Sequence, residues 1–135
     1  MSHPATALQT GLIAHLKADG ALIALLGAAA IHEVASPRAA LPHVVVAPGQ
    51  TRDRSGVGAG LIEHRVELVV RTAEAGYARL GAIADRITRT LDDASPALDG
   101  HRVVGLSVAG CLMRRDPDAR STRATITLFV LTEAL

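Results

Sequence analysis

The feature that most constrains this chain is a change of hydrophobic period inside one stretch, LIEHRVELVVRTAEAGYARLGAIADRITRTLDD, from Leu61 to Asp93. Up to Thr72 the pattern has a period of two. Ile62, His64, Val66, Leu68 and Val70 share one parity, while Glu63, Arg65, Glu67 and Arg71 share the other. Successive strand side chains point to opposite sides, so this pattern specifies a strand with one buried and one polar face. Beyond Thr72 the spacing becomes three and four, through Tyr77, Leu80, Ala84, Ile87 and Leu91. That spacing puts an apolar stripe on one side of a helix. A strand followed by such a helix predicts a helix laid across the buried face of an antiparallel sheet.

The rest of the chain supplies partners for that pair. Leu8, Leu12 and Leu16 form a helical stripe behind a cap at Ser2 or Thr6 with Pro4 in the first turn, and Gly20 ends it. Gly11 inside this stripe costs about 1 kcal/mol relative to Ala unless close packing requires it. A short helix follows over Ala21–Leu26. Ile31–Val34 and His43–Ala47 read as strands, the latter closed by Pro48. Its three consecutive valines suggest burial on both sides. Gly49–Gly60 contains four glycines together with Arg52, Asp53 and Arg54, and reads as a long hairpin arm. Its glycines lead into a strand rather than from a strand into a helix, and no Lys-Ser/Thr follows, which excludes a phosphate-binding loop. His101–Arg114 and Thr122–Thr132 read as a long hairpin around the polar turn Arg115–Ser121. Gly105 and Gly110 mark bends or bulges in its first strand. Arg114, Arg115, Arg120 and Arg123 gather at its tip with Asp116 and Asp118. The element order predicts an α+β fold, a mainly antiparallel sheet of four to five strands with helices on one face, within one domain spanning 1–135.

Composition narrows the chemistry. One Tyr, one Phe and no Trp leave an aliphatic, Ala-rich core. A net charge of +1 gives no global bias toward nucleic acid or anionic membrane. The single Cys111 excludes an internal disulfide and a cysteine-based zinc site, and its apolar surroundings predict a buried, inert thiol. The N-terminus lacks a signal-peptide pattern and no apolar run reaches a membrane span, so a cytoplasmic chain with no membrane contact is expected. His32, His43, His64 and His101 have no metal-ligand spacing, and the carboxylates form no acid–base constellation. No cofactor, metal or catalytic residue is predicted.

Together, an N-terminal helix, the ALIALLG helix, IHEVASPRAALPHVVVAPG, the charged alternating strand, AGYARLGAIADRITRTLDD, Gly100-x-Arg102-Val103-Val104 and the Arg115-Asp116 turn carry a resemblance. From about Ala7 to Thr132 the chain resembles the small tail-completion family of long-tailed phages, prophages and gene transfer agents. The resemblance implies a structural particle protein: a ring, commonly a hexamer, that caps the head-proximal end of the tail tube and ends its polymerisation. It also implies a surface for the head connector and a channel through which DNA passes in transit. Such a protein assembles in the cytoplasm and ends at the head–tail junction. No family motif assigns these roles to residues. By exposure and shape, Glu63, Arg65, Glu67 and Arg71 are the candidate subunit interface. Arg52, Asp53, Arg54, Arg114, Arg115, Asp116 and Arg120 are the candidate contacts to tube or connector. Another connector or tube subunit, a small ligand-binding domain and a small enzyme are the alternatives.

Overall fold

The structure is a computed structural model and describes residues 3–27, 29–36, 38–54, 56, 60–117 and 120–135. The elements run α1 (Pro4–Lys17), α2 (Gly20–Leu26), β1 (Ile31–His32), β2 (His43–Asp53), β3 (Leu61–Thr72), α3 (Ala78–Leu91), β4 (His101–Arg115) and β5 (Thr122–Ala134). The sheet order is β1-β2-β3-β5-β4. β1 lies parallel to β2, and every other pairing is antiparallel. The expected α+β architecture is the one observed.

The core forms where the two periods meet. Val66, Leu68 and Val70 of β3 and Ala124, Ile126, Leu128 and Val130 of β5 are buried on one face of the sheet. Leu80, Ile83, Ala84, Ile87 and Leu91 of α3 and Leu8, Leu12 and Leu16 of α1 join them in one hydrophobic cluster. Each Val, Leu or Ile among them is worth roughly 1.5–3 kcal/mol when fully buried. The helices therefore cover one face of the sheet and leave the other bare.

Asp19 ties the helical layer together. It caps α2 by accepting from Ala21 N at 3.1 Å and receives both Nε and Nη2 of Arg86, on α3, at 2.9 and 3.0 Å. Thr90 Oγ1 donates to the same carboxylate. His15 Nε2 lies 3.1 Å from Thr90 O, which adds α1 to the group. The Arg86 hydrogen bonds, more than any other contact, hold the Asp19 carboxyl down at about 2.

Several local expectations are corrected. The cap of α1 is His3, whose Nδ1 accepts from Ala5 N at 3.1 Å; Thr6 lies inside the helix and Ser2 lies outside the described residues. Tyr77 precedes α3 and is exposed, whereas Ile83 completes the buried stripe. β1 is two residues long rather than four, and Val34 is exposed. Of the three valines of β2, Val44 and Val46 are buried, while Val45 faces the bare side and is half-buried.

Strand β2 does not stop at Pro48. It continues to Asp53 across a register shift between Ala47 and Gln50 that accommodates the proline. At Gly49 a Cβ would meet Arg65 O at 2.4 Å, so a side chain has no room at this bulge. The expected arm is thereby shortened. Arg52 and Asp53 sit in the ladder opposite Glu63 and Ile62, Arg54 N bonds Leu61 O, and Ser55 and Val57–Ala59 lie outside the described residues.

Candidate assembly surface

The bare face of the sheet is built row by row from the strand register. One row runs Arg52, Glu63, Leu131; the next runs Gln50, Arg65, Phe129, Ser107; the next Ala47, Glu67, Thr127, Gly110; a further one His43, Arg71, Arg123, Arg114. All four residues proposed from sequence as an interface, Glu63, Arg65, Glu67 and Arg71, thus lie on this face. Glu63 pairs with Arg54 at 3.7 Å, while Arg65 is exposed. Beside them an open cleft of about 470 Å³ is lined by Leu61, Glu63, Gly105, Ser107, Phe129 and Leu131 among others. Phe129 in this cleft, and Val104 and Leu112 elsewhere on β4, are each about half exposed. Val104 and Leu112 share the sequence parity of Leu106 and Val108, yet the structure separates them, with a physical cause. Register shifts between Val103 and Gly105 and between Val108 and Gly110 insert an extra residue each time, and each insertion flips the faces.

At one end of this face the charges become one-sided. Arg71, Arg123 and Arg114 share a row, an arrangement in which like charges oppose one another. Asp116 partly offsets them, at 3.2 Å from Arg71 and 3.8 Å from Arg123, and it accepts from Ser121 Oγ at 2.7 Å. The Ser121 bond and then the Arg71 bond hold its carboxyl below the usual range. Arg115 donates Nε to Ala75 O at 2.9 Å and lies over the Tyr77 ring at 5.6 Å. The structure therefore gathers Arg114, Arg115 and Asp116 at the hairpin end beside Arg71, with Arg120 exposed nearby. Arg52, Asp53 and Arg54 lie at the opposite end of the sheet, next to Glu63. Asp118 lies outside the described residues.

Cys111 is exposed, contrary to the buried thiol expected, because it sits in the second half of the edge strand β4, where every residue from Ala109 to Arg115 is exposed. Partial burial still pushes its thiol up. His64 is fully buried, with Nε2 2.8 Å from Thr132 Oγ1, and burial lowers its ring to about 4. Its place on the core face was legible from parity, but its partner 68 residues away was not. The Asp19–Arg86–Thr90 cluster was missed as well. An Asp directly before a helix was the available cue. Among the described residues no group of three or more His, Cys, Asp or Glu is arranged to hold a metal, and no helix is long and apolar enough to cross a membrane.

The model of the family described as tail completion protein gp17 matches residues 10–133. The chain belongs to that family. This tail completion protein is accordingly a structural protein of phage-type tails and not an enzyme. Among solved structures it is similar to a chain of the virion of a native gene transfer agent particle. The identity is 27% and the TM-score 0.88, with 98% of this chain and 100% of that chain covered. No curated protein gives a significant match.

Proposed function

We propose that this tail completion protein closes into a ring, commonly six-membered in its resemblance class, that caps the head-proximal end of the tail tube. In that position it stops tube polymerisation, meets the head connector and leaves a channel through which DNA passes. It assembles in the cytoplasm as one domain and is then carried in the particle. The observation that carries this reading is the end-to-end likeness to a chain of a gene transfer agent virion. The bare sheet face supports it. A cyclic ring joins two different surfaces of the protomer, and a face bearing Glu63, Arg65, Glu67 and Arg71 beside half-exposed Phe129 supplies one mixed polar and apolar surface.

The test is the mass of the purified protein by light scattering over a concentration series, followed by negative-stain imaging with its tail-tube protein. Closed rings seated at one end of finite tubes are expected. A persistent monomer that ignores tube ends overturns the reading. Long tubes made by this chain alone would instead identify a tube subunit.

A further inference from the structure

The outer edge of β4 is treated differently in its two halves. The direction of each backbone group follows from the ladder. Leu135 N bonds Gly100 O and Asp116 N bonds Ser121 O, so both ends of the β4–β5 pairing are fixed, and residues alternate between facing β5 and facing outward. In the first half two of the outward groups are taken up. Leu106 O accepts from Asp93 N at 3.3 Å, and Val108 N donates to Asp92 Oδ1 at 3.4 Å, so the α3–β4 connection seals that edge. Past the bulge at Gly110 the alternation turns the backbone of Cys111 and Met113 outward. From Ala109 to Arg115 every residue of β4 is exposed, with Leu112 54% and Met113 37% accessible. An exposed strand edge with apolar side chains on both faces is a template for a further strand.

Charge decides what kind of strand. Around this open half stand Arg71, Arg79, Arg114, Arg115, Arg120 and Arg123, against Glu74, Asp116 and, in sequence, Asp118. We infer that the open half of β4, Ala109–Arg115, is a docking edge for an extended segment of a partner particle protein, in which acidic residues flank apolar ones, added as an extra strand beside Cys111 and Met113. A second copy of this chain fits poorly. Pairing with the same edge of another copy would set arginine against arginine, β1 at the opposite edge is only two residues long, and the part of β2 beyond it brings Arg52 and Arg54 with Asp53 between them. DNA fits poorly as well: phosphates can accept from outward amides, but the outward carbonyls that alternate with them and the exposed Leu112 and Met113 offer nothing to a polyanion. The inference rests on the tail-end reading for its partner, a tube or connector protein, and is independent of ring closure.

Hydrogen exchange read residue by residue tests it, comparing the free protein with the same chain in intact particles, which hold tube and connector together. In the free protein the amides of Cys111 and Met113 exchange fast, while Leu112 and Arg114, bonded to β5, exchange slowly. In particles Cys111 and Met113 slow by at least 100-fold. Unchanged exchange in particles overturns the inference. So does the same protection in the free oligomer, which would place a second copy on the edge, or protection by a short DNA duplex alone. Met113→Pro provides a functional arm. In the backbone it removes only an outward amide, which is tolerated at an edge, and the side chain it replaces is partly exposed, so the melting temperature and oligomer mass are kept while incorporation into particles falls at least tenfold. Arg114→Glu with Arg115→Glu gives the same loss without touching the backbone. Normal incorporation of both variants overturns the inference, whereas loss of ring mass in the unsubstituted protein would indict the ring reading instead.

Discussion

His64 shows how one side chain couples the core to solvent conditions. Burial favours its neutral ring, so the folded protein declines a proton until about pH 4, whereas the unfolded chain accepts one near 6.5. Below 6.5 the unfolded state therefore binds more protons, and stability falls as pH drops toward 4, by about 3 kcal/mol from this group at most. His64→Gln keeps a partner for Thr132 and removes the titration. The fall in urea midpoint between pH 7 and pH 4.5 should shrink clearly in this variant. Asp19 acts with the opposite chemistry over a lower range. Its contribution is present above the ordinary carboxylate value and is lost as pH falls toward 2. Asp19→Asn preserves the cap on Ala21 but gives up the charge facing Arg86, and should cost roughly 1–2 kcal/mol at neutral pH by chemical denaturation. Neither pairing was readable beforehand, since periodicity reports which face a residue occupies and not what it meets there.

At the level of elements, a glycine inside a helix separates propensity from packing. A Cβ on Gly11 would lie 2.4 Å from Leu98 Cδ2 and 2.8 Å from the backbone oxygen of Ala97. The leucine can turn aside, but the carbonyl cannot without moving the 94–100 connection. Gly11→Ala should therefore lower stability by about 1–2 kcal/mol, although alanine is the better helix former by about 1 kcal/mol. A melting temperature that rises would show the connection to be pliable. β3, β5 and α3 were legible because each carries a clean period over ten or more residues. β2 and β4 were read less well. Pro48 and Gly49 look like a terminus in sequence but are absorbed by a bulge, and two bulges in β4 shift the parity twice. A bulge leaves only a glycine as its mark, and glycine marks turns just as well.

For the whole molecule, the separation of a covered and a bare sheet face was legible from β3 alone, because charges occupy every outward position there except Leu61 and Val69. For the same reason Glu63, Arg65, Glu67 and Arg71 fall on one face. The grouping of six arginines at one end was legible only in part, since Arg71 and Arg79 are brought there by pairing and by the β3–α3 turn. Replacing Glu63, Arg65 and Glu67 together with alanine should leave the melting temperature of the protomer within a few degrees, because exposed ion pairs contribute about 0–1 kcal/mol each. Ring mass by light scattering should fall in the same variant. Unaltered assembly would move the interface off this face.

One consequence concerns the single tyrosine. With no tryptophan in the chain, Tyr77 supplies nearly all of the intrinsic fluorescence, and it lies beneath Arg115 at the arginine-rich end rather than in the core. Emission will thus be a local reporter. Global unfolding is better followed by circular dichroism, while an unlabelled fluorescence titration reads events at that corner, including any ligand that draws the guanidinium off the ring.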